Sequence, residues 1–322
     1  MKNHISLFIF AIALLSGPVS ANDLSMTAVK DTLASIPGEH NYIYVRTPLG
    51  EDEEKNYDEI TFYDGLGREL DFAQSYGADR AGAIMAHHHL IEYDSLGRKE
   101  KQWLSTNTSF SYMSPEDLKG GVLWDYHDAG KRSYLQTNYE SSPLNRITEQ
   151  YGVGDAWGDH PARMEYLTNI PADSLRCSFY FIDDNDSLIR RGDYRSGELQ
   201  VTKATDEDGK PTYTFVDKQG RTLLTRLGRG NQQADTYFVF DRFGRIRYVL
   251  PPMINDEISA GNLDLYAYQY LYDSFGRCIS KKLPGCAAIR YVYDKADRVI
   301  LSQNGNQSQK KEWTFTFYDN QG

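Results

Sequence analysis

The sequence contains few cysteines and few prolines. Its 322 residues include 3 cysteines and 11 prolines. Three cysteines cannot all pair with one another and show no sign of a disulfide framework, so we expect packing of the sheet to stabilise the fold. Cys278 and Cys286 lie eight residues apart, and this spacing leaves a bridge between them open.

Positive charge is also scarce. The chain carries 35 basic and 45 acidic residues, a formal net charge of −10, and it has no basic cluster. Nucleic acids and anionic lipid surfaces are bound through concentrated positive charge. We therefore predict no nucleic-acid partner.

One long apolar run is present, and it lies at the amino terminus. Lys2 precedes the run from Ile5 to Leu15, and Val19-Ser20-Ala21 offers small residues for cleavage. This order is typical of a secretory signal peptide, and a run of eleven residues is too short to span a bilayer. We predict a signal peptide over 1–21, a leader over 22–40, no membrane span, and export to the periplasm, cell surface or medium.

Motifs of known catalytic classes are missing. The sequence has no Gly-x-Ser-x-Gly elbow, no His-Glu-x-x-His and no phosphate-binding glycine loop. Aspartates and glutamates are numerous enough for a glycosidase pair, but no pair is singled out by its position. The prediction is a protein that is not an enzyme and has no cofactor.

The stretch from Tyr237 to Leu250 contains the motif that organises the rest of the chain. Its centre reads Phe-Asp-x-x-Gly-Arg, and apolar or aromatic residues flank it on both sides. Asp suits the first position of a type I turn, and a glycine three residues later closes a hairpin loop with a bulge. The motif therefore predicts that Asp241 faces Arg245. We further expect Phe240 to face Ile246 and Phe238 to face Tyr248.

The same motif recurs at steps of 21 to 32 residues, apart from one longer gap in the middle of the chain. Five copies are complete, a sixth has Asp297 in place of glycine, and a seventh, Tyr318 to Gly322, stops on its glycine. Repeated supersecondary units bury their faces against neighbours, so the pattern predicts an all-β fold of repeated antiparallel hairpins. The predicted turn residues are Asp64, Gly67, Arg68, Asp94, Gly97, Arg98, Asp217, Gly220, Arg221, Asp241, Gly244, Arg245, Asp273, Gly276, Arg277, Asp294 and Arg298.

This repeated motif resembles the YD repeat of bacterial Rhs proteins and animal teneurins. The region 41–165 also resembles the uncharacterised domain that precedes the repeats in many secreted Rhs-like proteins, through Asn41 to Tyr44, Ile60 to Arg68 and Pro143 to Arg146. The resemblance implies an N-terminal β domain over 41–165 and YD-repeat hairpins over 166–322. In the family such hairpins wind into a spiralling wall around a hollow shell.

The resemblance also implies a function and a partner. In the family, a conserved core and an often toxic domain follow the repeats, and the self-cleavage residues lie in that core, so no catalytic residue is carried over. In the first interpretation, the chain forms an open wall of an incomplete shell. Its partner is then that C-terminal region. The alternative is an extracellular module that binds a glycan or a cell-surface protein through aromatic-rich sheets.

Several shorter segments carry expectations of their own. Tyr42 to Val45 is predicted to form a strand, Ser75 to Ala83 a loop between two hairpins, and Ser114-Pro115 the start of a helical turn. Asp155 to Pro161 is predicted to end the first unit.

Two segments resemble metal sites, but a simpler interpretation is available for each. His87 and His89 would share one strand face, where imidazoles bind metals, yet no third ligand follows nearby, so an exposed strand start is favoured. The segment 183–187 is acidic like a calcium loop but lacks the central glycine and the closing glutamate, which favours a turn. We predict no metal site.

A third acidic segment suggests contact with a sugar. Asp155, Asp159 and His160 lie near Trp157, which is compatible with aromatic stacking on a sugar ring, but a flexible domain junction is favoured there.

The last motif predicts an uncovered edge. The strand from Trp313 to Phe317 would reach its turn without a return arm, and unpaired strand edges recruit other chains. We therefore expect the chain without its signal peptide to self-associate through this edge. A natural continuation beginning with arginine would make the chain the front part of a larger shell.

Overall fold

The computed structural model describes residues 33–34, 36, 40–48, 56–78, 84–228, 233–254 and 256–319. The predicted signal peptide, nearly all of the predicted leader and the end of the last motif lie outside these residues. The chain divides into two compact units, 1–161 and 162–322. Among the described residues, no helix is long and apolar enough to cross a membrane.

The first unit is an antiparallel meander. Strand β1 pairs with β2, β2 with β3, β3 with β4, β4 with both β5 and β6, β5 with β7, and β7 with β8. Its strands are β1 (Asn41–Pro48), β2 (Asn56–Tyr63), β3 (Glu69–Ala78), β4 (Ile84–Tyr93), β5 (Lys99–Trp103), β6 (Thr106–Ser109), β7 (Tyr134–Tyr139) and β8 (Ile147–Tyr151). Helix α1 (Pro115–Asp125) follows β6.

The second unit repeats this plan. Strand β9 pairs with β12, and β12 to β21 then pair in chain order. Strands β10 and β11 form a separate two-stranded hairpin. The strands are β9 (Ala162–Thr168), β10 (Ser178–Ile182), β11 (Leu188–Asp193), β12 (Gln200–Thr205), β13 (Pro211–Val216), β14 (Thr222–Leu227), β15 (Ala234–Phe240), β16 (Ile246–Leu250), β17 (Tyr268–Tyr272), β18 (Cys278–Lys282), β19 (Ile289–Tyr293), β20 (Val299–Gln303) and β21 (Thr314–Phe315). Helices α2 (Ala260–Tyr266) and α3 (Gly305–Lys310) lie in connections between strands.

The predicted all-β fold of antiparallel hairpins is confirmed. Each recognised motif turn joins the two strands of one hairpin: β2–β3, β4–β5, β13–β14, β15–β16, β17–β18 and β19–β20. Because strands in a meander alternate in direction, the motif turns of one unit all lie at the same end of its sheet.

Each unit has its own apolar core on the sheet. In the first unit Ile60, Phe62 and Phe110 are fully buried. In the second, Phe215 and Leu224 of the sheet pack in one cluster with residues of the β10–β11 hairpin. Fully burying a side chain of this size contributes about 1.5–3 kcal/mol. Burial against the sheet therefore accounts for why hairpins that are marginal alone form here.

One predicted register is wrong. Phe240 faces Ile246 as expected, but Phe238 faces Val249 and not Tyr248. The register shifts between Val239 and Phe240, because a bulge adds one residue to one arm next to the turn. The same shift accompanies the motif turn in the other recognised hairpins.

The prediction that His87 to His89 begin an exposed strand is also wrong. Strand β4 begins at Ile84, and His88 is almost completely buried. Its Nδ1 lies 2.6 Å from Oδ2 of Asp71, and its Nε2 lies 2.9 Å from the carbonyl oxygen of Ser109. The buried partner Asp71 comes from β3, so the strand position of His88 alone did not reveal it.

The other local expectations had mixed outcomes. The strand at Tyr42 to Val45 is confirmed within β1, and Ser114 caps α1 with its side chain, although α1 is longer than one turn. The predicted loop from Ser75 is wrong at its start, because β3 continues to Ala78 and pairs with β4. The predicted domain boundary after Glu165 falls inside β9.

Candidate functional site: the motif turns and the contacts between them

The motif aspartate organises each turn through its backbone and its carboxylate. In the turn at Asp241, its N–H donates to the carbonyl of Arg245 at 2.9 Å, and Gly244 donates to the carbonyl of Asp241 at 3.0 Å. Oδ1 of Asp241 accepts the N–H groups of Phe243 and Arg245, both at 2.9 Å. An Asx-type cap of this kind satisfies backbone donors that the tight turn leaves unpaired.

The motif arginine holds the other carboxylate oxygen. Nε of Arg245 lies 2.8 Å from Oδ2 of Asp241, and Nη2 lies 2.7 Å from the same atom. The same backbone and carboxylate bonds occur in all six recognised turns, where the Nε to Oδ2 distance ranges from 2.7 to 2.9 Å. The aspartate and arginine of each copy thus form one rigid turn.

Hydrogen bonds from the backbone lower the pKa of two motif carboxylates. The pKa of Asp64 is lowered chiefly by the backbone N–H of Arg68, and the pKa of Asp294 is lowered in the same way by Arg298. A carboxylate held ionised by a permanent cation is a poor proton donor. In these turns the carboxylate is therefore part of the turn structure.

Each motif arginine also contacts the next hairpin along the chain. The guanidinium of Arg245 lies 4.7 Å from the ring centre of Tyr272, the aromatic residue that opens the following motif. The six such distances range from 4.5 to 5.1 Å, in the pairs Arg68–Tyr93, Arg98–Tyr139, Arg221–Phe240, Arg245–Tyr272, Arg277–Tyr293 and Arg298–Tyr318. A cation over an aromatic face at this distance contributes about 0.5–1 kcal/mol at exposed sites.

The motif tyrosine bonds back to the preceding hairpin. The hydroxyl of Tyr272 donates to the carbonyl of Ile246, the residue after Arg245, at 2.9 Å. Four other tyrosines bond to the residue after the preceding motif arginine: Tyr93 to Glu69, Tyr139 to Lys99, Tyr293 to Cys278 and Tyr318 to Val299. Phe240 has the ring but no hydroxyl, so the Arg221 hairpin lacks this bond.

The arginine also donates to the backbone of the next turn in several copies. Nη1 of Arg98 bonds the carbonyl of Glu140 at 2.9 Å, and Nη1 of Arg277 bonds the carbonyl of Asp294 at 3.1 Å. Arg277 further contacts Oδ1 of Asp297, the residue that replaces the motif glycine, at 2.9 Å. Stacking, hydroxyl and guanidinium contacts together connect successive turns in series.

The sequence pattern did not reveal one further hairpin of this series. Between β7 and β8, Glu140 takes the place of the aspartate and its N–H donates to the carbonyl of Arg146 at 3.0 Å. Arg146 binds the Glu140 carboxylate at 2.7 and 2.6 Å, and Asn145 has the positive φ, 56°, that glycine has elsewhere. The sequence does carry the signal, because an aromatic residue and an acid are followed by a left-handed residue and an arginine. The loop between the acid and the arginine is two residues longer than in the motif, so the copy does not match the motif spacing.

Bonds from Arg146 and Ser142 lower the pKa of Glu140 to about 2. The first of these, the side-chain bond from Arg146, is the larger cause. The variant turn therefore favours the ionised form of its carboxylate.

The remaining predicted segments have structural partners. Asp155 accepts the N–H groups of Lys131 and Arg132 at 3.2 and 3.0 Å, which fixes a loop of the first unit. Asp183 begins a turn of the motif type, closed by a bond of its N–H to the carbonyl of Ser187 at 3.0 Å. Over the described ranges, no three His, Cys, Asp or Glu side chains are grouped to hold a metal, and Cys177, Cys278 and Cys286 are free thiols.

Comparison with protein families gives one match. Residues 41–168 match the family model described as Domain of unknown function (DUF6443). No curated protein matches the sequence. The match to the family model covers the first unit from residue 41 onward and the start of the second, and it assigns no activity.

Solved structures share the fold at low sequence identity. A chain in the crystal structure of TcdB2-TccC3-Cdc42 is 14% identical with a TM-score of 0.53, and one in TcdB2-TccC3 is 13% identical with a TM-score of 0.52. A chain in the Photorhabdus luminescens Tc holotoxin pore is 12% identical with a TM-score of 0.52. These matches cover 83%, 82% and 82% of the present chain but only 12% of each solved chain.

Proposed function

We propose that the chain is an exported, non-catalytic structural segment of the YD-repeat type, which forms part of a β wall that encloses or presents another part of a larger protein. The observation that carries this proposal is the serial connection of the hairpin turns. Each arginine contacts the next turn, and most tyrosines bond the previous one.

Serial contacts of this kind suit a wall. Every hairpin uses the same residues to hold its neighbour, so hairpins can be added without a new interface. An active site needs one special arrangement, whereas this arrangement repeats and engages the motif carboxylates in ion pairs. The similarity of fold to chains of the TcdB2-TccC3 structures supports the same role.

The partner in this proposal is the rest of the protein to which such a segment belongs. The chain spans 12% of the solved chains that share its fold, and a wall of this length needs further strands to enclose a volume. A toxic or otherwise active cargo would then be supplied by a region outside the present sequence.

Electron cryomicroscopy of the complete natural gene product tests this proposal. We expect residues 41–319 to line a closed compartment, and we expect any segment inside it to resist added protease until the particle is denatured. The proposal would be wrong if these hairpins enclose no volume in the complete gene product and every other segment is cleaved by protease.

A further inference from the structure

A cleft in the second unit lies between the β10–β11 hairpin and the turns at one end of the sheet. Two adjoining cavities of about 310 and 640 Å³ form it. They share Phe179, Tyr194, Gln219 and Arg221. Cavities of this size lie in the range of small-molecule sites.

Both walls of the cleft are held in place by the fold. Tyr180 of β10 packs edge-on against Tyr237 of β15, with ring centres 4.9 Å apart. At the hairpin tip, the buried Arg247 binds both carboxylate oxygens of Asp186 and donates to the carbonyl of Tyr270 at 2.8 Å. The hairpin therefore forms a fixed wall, and a ligand does not have to order it.

Positive charge without an ion-pair partner lines the cleft. Arg191 and Arg195 stand on the hairpin side, and Lys218 and Arg242 occupy the second positions of two motif turns. All four side chains are exposed, and none has an ion pair with a described carboxylate. This local charge contrasts with the net charge of −10 of the whole chain.

The carboxylates of the cleft are mostly engaged. Asp217 pairs with Arg221, Asp241 pairs with Arg245, and Asp193 lies 3.4 Å from Arg190. Glu198 has no ion pair with a described cation. The lining residues carry a formal charge of 5 − 4 = +1, and two of the four carboxylates are also paired with Arg190 and Arg245 beside the cleft. A concave surface with an excess of one sign attracts ligands of the opposite sign.

The cleft also has aromatic rings and unpaired polar groups. The rings of Phe179 and Phe181 are half-buried and stacked, with centres 5.6 Å apart. The Tyr194 hydroxyl and the Gln219 amide have no hydrogen-bond partner among the described residues, and both groups donate as well as accept. Hydroxyl-rich ligands satisfy such groups, whereas a purely anionic peptide side chain only accepts.

We infer that this cleft binds an acidic oligosaccharide, whose carboxylates contact Arg191, Arg195, Lys218 and Arg242 and whose rings and hydroxyls contact Phe179, Tyr194 and Gln219. Single-stranded nucleic acid also combines negative charge with stacking, so oligothymidylate is included as a competing ligand in the test below. The inference is independent of the wall, because a wall segment without this cleft would perform the same structural role.

Calorimetric titration with an oligogalacturonate hexamer tests the cleft. We expect saturable binding that weakens as salt is raised, since exposed charges are screened at high ionic strength. Maltohexaose, a neutral oligosaccharide of the same length, should bind much more weakly. Lys218→Glu should weaken oligogalacturonate binding about fivefold or more, because an exposed charge pair contributes up to about 1 kcal/mol and reversal adds repulsion.

A matched control is available in another motif turn. Lys295 occupies the same turn position as Lys218, is exposed, and lies outside the cleft, so Lys295→Glu should leave binding unchanged. Arg191→Ala, on the opposite wall, serves as the second variant if Lys218→Glu alters the circular dichroism spectrum. Absent binding, equal effects of the two lysine variants, or tighter binding of hexaglutamate or oligothymidylate would overturn the inference.

Discussion

The glycine of each motif turn has a backbone conformation that other residues adopt only with strain. The φ of Gly244 is 78° and that of Gly276 is 86°, which confirms the positive values expected from the turn type. A Cβ on Gly244 would have no atom closer than Nη1 of Arg221, at 3.9 Å. The cost of substitution there comes from the backbone and not from a clash.

Gly244→Val therefore tests the turn directly. We expect it to lower the free energy of unfolding by about 1–2 kcal/mol and the Tm by roughly 2–8 °C. Arg242→Val, two residues earlier at a position with an ordinary φ, should have a smaller effect. Differential scanning calorimetry compares them, and equal Tm values would contradict the turn assignment.

The carboxylate of the variant turn gives a prediction about pH. The pKa of Glu140 is about 2 in the folded protein, against about 4.3 for an unfolded chain. A carboxyl group whose pKa is depressed by folding stabilises the protein above the unfolded pKa. That contribution is lost as the pH falls from about 4.3 toward about 2.

Glu140→Gln should therefore lower the Tm at neutral pH, and the difference from the parent protein should shrink as the pH falls below about 4.3. Glu207→Gln is the control, since Glu207 is exposed and has no ion pair with a described residue. A Tm difference for Glu140→Gln that is constant with pH would show that the Arg146 bond is not the cause.

At the scale of the hairpin, the contacts between neighbours distinguish this fold from a set of independent turns. A two-stranded hairpin alone is at best marginally stable in water. Arg245 binds Asp241 within its own turn and stacks on Tyr272 of the next hairpin. One side chain therefore stabilises its own turn and also holds the neighbouring hairpin. Loss of such a residue should loosen the following hairpin as well as its own.

A double-mutant cycle of Arg245→Gln and Tyr272→Leu measures this connection. We expect a coupling energy of about 0.5–1 kcal/mol from chemical denaturation. Arg245→Gln combined with Tyr293→Leu should be additive, because Tyr293 stacks on Arg277 instead. Coupling of similar size in both cycles would mean that the variants act through general destabilisation.

The sequence pattern predicted these hairpins well but not their connections. Asp241, Gly244 and Arg245 lie within five residues, so local turn chemistry was enough to place them. The stacking of Arg245 on Tyr272 joins residues far apart in sequence, and the bond of His88 to Asp71 joins two neighbouring strands. Local sequence pattern does not reveal either contact. The register error at Phe238 has a local cause, since one bulge residue moves every later pair by one position.

At the scale of the whole molecule, export remains a prediction. Lys2, the apolar run and Val19-Ser20-Ala21 predict removal of residues 1–21. Mass spectrometry of protein made in a Gram-negative host should show an amino terminus at Asn22. Removal of Lys2 with the first 21 residues would leave a formal net charge of 34 − 45 = −11. Recovery of the full-length chain from the cytoplasm alone would contradict it.

The last strand of the second unit is an exposed edge. Among the described strands, β21 pairs with β20 only. Phe315 is 50% exposed and Phe317 is 87% exposed, and their ring centres lie 4.3 Å apart. Unpaired strand groups beside exposed aromatic rings are a template for another chain, and natural sheets block such edges with charged residues, especially lysine.

We therefore expect the chain without residues 1–21 to self-associate in a concentration-dependent way, and Phe317→Lys to reduce this association by adding a charge at the edge. Phe275→Lys is the matched control, because Phe275 is 82% exposed but lies in a hairpin turn away from β21. Light scattering over a concentration series compares the three proteins. A monodisperse monomer in every case would mean that this edge does not recruit a second chain, and it would favour the binding module over the structural wall.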